Sequence, residues 1–354
     1  MIKNESKLNR TLFTAIINCI FLIFSLLFFN ECRNLLPSYF YNDNLVIRTY
    51  MQNNYLNTDR SFANTAKFFT ALNFNYDTSY FMESFFSWIV FLALYLIIVI
   101  KYKIDFSKYN NLILLFMFSI FYGAYAAQFS KELVVFILMD FVLLISTSKS
   151  LKYNLLIFIL IYGIFFRTYW ILIFVLSILF YFVARNKHTN LWSWIACYFL
   201  IIICMELSYN FVTGNFLSNY RYSVNVWRVM DVNSNTIINN PLINSNILTD
   251  FLNFLYGLLN IFIPINGINS SNEIIYYLWI WIIVWITFRS ILKNKDDLMD
   301  YKLYFLIGMI SVQAFFEPDI GSMLRHQIVL LPILLLFINR DTFLKSNFER
   351  SKPN

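Results

Sequence analysis

Residues 11–29 pass nineteen positions without a charged side chain, and apolar runs of similar length recur at 84–100, 110–127, 191–208, 274–288, 303–316 and 327–339, with a shorter one at 133–146. A bilayer core about 30 Å thick is crossed by about 20 mostly apolar helical residues. Inside lipid the backbone has no water to bond, so these segments have to be helices that satisfy their own N–H and C=O groups. The stretch 154–184 is 31 residues, about 46 Å as a helix. That is too long for one straight span. It predicts two short spans or a re-entrant pair, broken near Phe166-Arg167-Thr168-Tyr169-Trp170.

Composition agrees. The 354 residues are 59% hydrophobic, 20% aromatic and only 13% charged, against about 25% charged in soluble domains. A disordered chain would need low hydrophobicity and high net charge. Four cysteines, two histidines and no CxxC pair make no disulfide framework, and no metal is expected. The first run lacks a small-residue cleavage pattern before Asn30, so it reads as a retained anchor.

Residues 251–265 are apolar enough to span, yet Asn253, Gly257 and Asn260 recur along one helical face and Pro264 ends the run. The positive-inside rule favours an interfacial or re-entrant helix there. The expectation is an all-α polytopic membrane protein, one integral domain over 1–354, with ten spans and both termini cytoplasmic. Its outer loops are 30–83, 209–273 and 317–326. On this topology 18 of the 27 Lys and Arg residues lie inside. The formal charge of +7 is then an orientation signal, and nucleic acid is excluded as a partner.

The large outer segments are too aromatic for disorder. Phe62, Ala66, Phe69 and Leu72 follow helical spacing, and Arg221, Asn225 and Arg228 share a face if their segment is helical. The string Glu317-Pro318-Asp319-Ile320-Gly321-Ser322-Met323-Leu324-Arg325-His326 sets two acids, a turn and an Arg-His pair beside the bilayer, where charge is expensive and usually functional. The bland alternative is a polar hairpin with Arg325 snorkelling to head groups. Arg167 falls at the break in 154–184, below the lipid surface, and Lys131 and Glu132 beside the short span 133–146 are candidates for the same recess. Arg221 and Arg228 offer planar forks suited to phosphate oxygens. Arg33, Arg48, Arg60 and Lys67 read as solvated loop charges, and Asp140 as a helix-packing contact. GxGxxG, GxxxxGK[ST] and HExxH are absent from the sequence.

Three strings carry a resemblance. FFEPDIGSMLRHQIVLLP (315–332), FSKE (Phe129–Glu132) and FRTYW (Phe166–Trp170) resemble the Wzy-type O-antigen and surface-polysaccharide polymerases, as does the layout of many spans with large outer loops. Some members carry Arg followed eleven positions later by Gly in these loops; no Arg here does. The resemblance implies a fold like that of membrane-embedded polyprenyl-linked glycosyltransferases. It implies polymerisation of undecaprenyl diphosphate-linked repeat units at the outer face of a bacterial inner membrane, without a cofactor. Membrane lipids, a chain-length regulator and a flippase are the partners it allows. On that reading Arg325, Arg167, Arg221 and Arg228 face the diphosphate, with Lys131 and Glu132 beside them. Glu317 or Asp319 is the base, and His326 an orienter or second base. The rival readings are a lipid-linked oligosaccharide flippase or other transporter, an O-antigen ligase, and a sugar acyltransferase.

Overall fold

The computed structural model describes residues 2–53, 59–147, 149–185, 191–231, 236–265, 267–268, 270–293 and 300–339. Helix is the only extended regular structure among them. In chain order the helices are α1 (Ile2–Leu35), α2 (Asn42–Asn53), α3 (Arg60–Ala71), α4 (Tyr80–Leu96), α5 (Tyr109–Ala126), α6 (Lys131–Ile145), α7 (Leu151–Phe165), α8 (Tyr169–Arg185), α9 (Leu191–Thr213), α10 (Asn219–Asp231), α11 (Ile247–Phe262), α12 (Ser271–Lys293), α13 (Tyr301–Phe316), α14 (Ile320–Gln327) and α15 (Leu330–Ile338). The break predicted inside 154–184 is present, between Phe165 and Tyr169. The chain forms two compact units, 1–168 with 331–354, and 169–330.

Among the described residues, five helices are long and apolar enough to cross a bilayer: Ala15–Leu35, Tyr80–Lys101, Tyr109–Ala126, Trp192–Thr213 and Glu273–Leu292, with a sixth if α14 and α15 make one broken span. Their outward side chains, among them Trp192, Phe211 and Trp285, are exposed, which water would penalise over so large an apolar area. The protein is a multi-pass membrane protein. Helices α7, α8, α11 and α13 are apolar but only 15 to 17 residues long, about 23–26 Å. The ten-span expectation included α7, α8 and α13 but not α11, which it read as interfacial or re-entrant.

In the first unit α1 packs on α4 and α5, α4 on α6, and α6 on α5, α7 and α3. Phe29, Phe91, Phe118, Tyr122 and Phe136 fill the space between α1, α4, α5 and α6 with rings whose centroids are 4.8 to 5.6 Å apart. Asn111 and Asn339 exchange two buried side-chain hydrogen bonds of 3.0 and 2.9 Å, the polar glue that lipid, being apolar itself, does not weaken. The helix predicted around Phe62 is α3. Asp59 caps it by accepting from the Ser61 N–H, and Thr65, Ala66 and Phe69 form its buried face.

Arg48 departs from its expectation as a solvated loop charge. It is 7% exposed, paired with the buried Glu83 and donating to the carbonyls of Tyr76 (2.7 Å) and Thr78 (2.5 Å). A segment read as loop turned out to be helix α2, and its buried face carries the arginine inward. Arg60 and Lys67 are exposed, as expected.

In the second unit α13 is central, packed by α8, α10 and α11, while α9 lies against α8 and α11, and α12 against α11 and α14. Residues 251–265 fall largely in α11, whose N-terminus is closed by a capping box in which Asn246 accepts from the Thr249 N–H and Thr249 from the Asn246 N–H. The polar stripe Asn253, Gly257 and Asn260 is buried. A Cβ on Gly257 would collide with the Ala314 carbonyl of α13 and with the Arg221 guanidinium, so only glycine permits this approach. Gly257→Ala is expected to cost about 1–3 kcal/mol by overpacking. Thermal unfolding in detergent checks it, and an unchanged midpoint would refute the account of this contact.

Candidate functional site

The loop-and-helix segment after α13 holds the densest cluster of candidates. Glu317 ends α13, with its N–H on the Gln313 carbonyl. Pro318 forces the turn, and Asp319 caps α14 by accepting from the Ser322 N–H at 2.8 Å. The segment expected as an outer loop is therefore a short amphipathic helix. Ile320, Met323, Leu324 and Gln327 recur every three or four positions and are buried. The opposite face carries Gly321, Ser322, Arg325 and His326, all partly exposed. Helical period alone brings Arg325 and His326 to one open face.

The His326 Nδ1 pairs with Glu317 Oε1; the carboxylate is 4% exposed and the imidazole 13%. The acid is buried and the ring reaches toward solvent. An ionised Glu317 holds the proton on Nδ1 and leaves Nε2 as the basic nitrogen, the arrangement that orients a general base.

A buried polar lattice fixes α14 from below. Gln327 donates to Gln313 (3.1 Å) and to the Tyr276 hydroxyl (3.2 Å), Gln313 donates to the Met323 carbonyl (3.2 Å), and Tyr276 donates to the Ile261 carbonyl (3.1 Å). From the side, segment 236–240 pins the turn. The Ile238 N–H bonds to the Pro318 carbonyl at 2.8 Å and the Ile320 N–H to the Thr236 carbonyl at 3.3 Å, and Ile237 faces Asp319 in an antiparallel bridge.

Arg221 lies on α10, as the predicted helical face requires, but it is fully buried. Its guanidinium donates to the Ala314 carbonyl and to Asn240 Oδ1, the latter at 3.2 Å. Burial pushes it down to about 10, opposed by the nearby Glu317 carboxylate, so it stays charged at neutral pH. It ties α10, α13 and the 236–240 segment together next to Glu317. Its neighbour Arg228 is on the same helix, with its side chain outside the described residues.

Aromatic rings surround the pair. Tyr169 lies 6.0 Å from the His326 ring and 6.3 Å from Phe316, and Tyr220, which is exposed, meets Phe316 at 5.4 Å. Sequence reasoning left Tyr169, Tyr220 and the Gln313–Gln327–Tyr276 lattice unassigned. Their glutamines and tyrosines sit in apolar runs, where a period-3.6 reading marks them only as helix positions.

The other candidates are in the first unit. Arg167 Nη2 bonds Glu132 Oε1 at 2.7 Å, with side chains 9% and 2% exposed. Lys131 Nζ stands 3.2 Å from the centroid of the Phe62 ring, a cation–π contact. The Tyr162 hydroxyl donates to the Lys131 carbonyl at 3.3 Å, and the Arg167 N–H to the Tyr162 carbonyl at 3.1 Å. Ser130 caps α6 through the Leu133 N–H. Arg167 and Glu132 do meet, as an ion pair that holds the end of α7 to the start of α6. Among the described residues no group of three or more His, Cys, Asp or Glu side chains is placed to hold a metal ion.

No protein-family model matches the sequence, and neither a curated protein nor a solved structure matches it.

Proposed function

We propose that this protein is a glycan polymerase. On this reading it transfers a growing chain from its polyprenyl diphosphate carrier to the terminal sugar of an incoming lipid-linked repeat unit. The observation that carries the proposal is the Glu317–His326 pair beside Arg325 on one open helix face. In the proposed reaction His326 Nε2 takes the proton of the acceptor hydroxyl. The oxygen attacks the anomeric carbon of the donor chain, and the bond to the diphosphate breaks. The leaving diphosphate takes up the negative charge, which Arg325 stabilises. Glu317 orients the imidazole and stabilises its cationic form. Tyr169, Tyr220 and Phe316 supply flat apolar faces on which sugar C–H faces pack. Arg221 supports the site from behind.

The proposal includes the finer topology: ten membrane passages counting the short apolar helices other than α11, both termini cytoplasmic, and the Glu317–His326 site on the periplasmic side of a bacterial inner membrane. A transporter reading would need polar groups at the midplane of the bilayer, whereas the cluster described here lies between an apolar helix and a short amphipathic one.

Deletion of the gene followed by gel analysis of surface glycan tests the proposal. Loss of the polymerase leaves single repeat units on the lipid core, whereas loss of a flippase or ligase leaves none. A normal ladder of long chains in the deletion strain would refute it.

A further inference from the structure

The geometry points to a second ligand site, in the first unit, for an aminoethyl-phosphate head group, as carried by phosphatidylethanolamine of the surrounding bilayer. A cavity of about 160 Å³ lies where α1 ends and α4 begins. A cavity holds one water in about 10–15 Å³ of this measure, so the space suits a polar head group better than a lone solvent molecule. Both flanking helices are long and apolar enough to span, and their spanning segments end here, at Leu35 and Tyr80. The cavity therefore lies at head-group depth. Leu27, Leu35 and Phe81 beside it are more than 60% exposed, apolar surface for acyl chains.

The polar groups around the cavity are unusual in their lack of protein partners. Arg33 makes only ring contacts, 3.2 Å from the Tyr80 centroid and 4.9 Å from Tyr41; its guanidinium has no carboxylate or hydrogen-bond partner among the described residues. The neighbouring Glu83 is committed to Arg48 and Asn44. Two side chains of the cavity wall, Tyr41 at 6% and Gln128 at 5% exposure, each bury a polar atom that lacks a partner: the Tyr41 hydroxyl and Gln128 Oε1. Glu31, whose carboxylate accepts only from Asn34 Nδ2, completes the rim. A buried polar group without a partner costs about 1–3 kcal/mol, so an occupant that satisfies these atoms is favoured.

The set selects its ligand by charge. Arg33 and the Tyr41 hydroxyl donate, which calls for a phosphate oxygen. Gln128 Oε1 and Glu31 accept, which calls for an ammonium. A simple anion would meet Glu31 unopposed, and a simple cation would meet Arg33. A zwitterion that joins phosphate to a primary amine through two carbons satisfies both. This site is independent of the Glu317–His326 cluster and of the reaction proposed for it.

Native mass spectrometry of the delipidated full chain tests the inference, with phosphatidylethanolamine, phosphatidylglycerol and soluble phosphoethanolamine offered separately. Retention of phosphatidylethanolamine over phosphatidylglycerol by roughly tenfold is expected, since a hydrogen bond to a charged group is worth at least that factor. Glu31→Gln removes the carboxylate that faces the ammonium and erases most of that preference, whereas Tyr41→Phe, which deletes an atom with no partner among the described residues, and Arg33→Gln lower retention of both lipids. Equal retention of the two lipids by the unsubstituted protein overturns the inference, as does a preference unmoved by Glu31→Gln or retention unmoved by Tyr41→Phe and Arg33→Gln. Soluble phosphoethanolamine binding as tightly as the lipid would overturn the bilayer as its source.

Discussion

His326→Gln is expected to slow glycan-chain growth by about 10²- to 10⁴-fold, the range that a positioned general base contributes, without preventing insertion or folding. The imidazole lies on the open face of α14, and its Nδ1 is already committed to Glu317. Glutamine preserves most of the volume and a hydrogen bond to Glu317, but it has no basic nitrogen. Glu317→Gln is expected to follow closely, because the imidazole then loses the carboxylate that stabilises its cationic form. Asp319→Asn separates the roles of the two acids. Asparagine caps a helix as well as aspartate, so if Asp319 serves only as the cap of α14, this variant polymerises normally. A dead Asp319→Asn enzyme with active His326→Gln would reverse the assignment and make Asp319 the base.

The largest expected loss of stability is at the other candidate pair. Glu132→Ala removes the carboxylate that Arg167 Nη2, on a side chain 9% exposed, meets at 2.7 Å, and removal of one member of a buried pair costs about 3–5 kcal/mol. The effect comes from the charge left behind. Arg167→Met combined with Glu132→Leu removes both charges and keeps apolar volume, and such exchanges are often neutral. The double variant is expected to unfold close to the parent midpoint in detergent while Glu132→Ala falls well below it. If the double variant is as unstable as Glu132→Ala, the pair matters through something other than charge burial. Neither outcome bears on the chemistry proposed at His326.

Helical period was readable wherever one face is apolar. It foretold α3 from Phe62, Ala66, Phe69 and Leu72, the shared face of Arg221 and Asn225 on α10 though not its burial, and the break at Arg167. Reading failed where polar residues carry the structure. Arg48 looked like a loop charge because its partner Glu83 lies 35 positions away, and no local pattern links them. The 317–326 string looked like a loop because Pro318 and Gly321 are turn residues, yet Asp319 is a good helix cap. The Glu317–His326 contact follows from those two facts together. The Gln313, Gln327 and Tyr276 lattice was hidden because each residue sits in an apolar run, and only the packing of three helices brings them into register.

Lipid-linked glycan that accumulates in the deletion strain supplies the substrate for the most direct test without knowledge of its sugars. Membranes carrying the protein, mixed with that extract, are predicted to convert single repeat units into a ladder of longer chains and to release polyprenyl diphosphate with each addition. His326→Gln membranes would leave the units unjoined. Unit-length glycan that persists with the unsubstituted protein, or a ladder formed equally well by His326→Gln, would contradict the account.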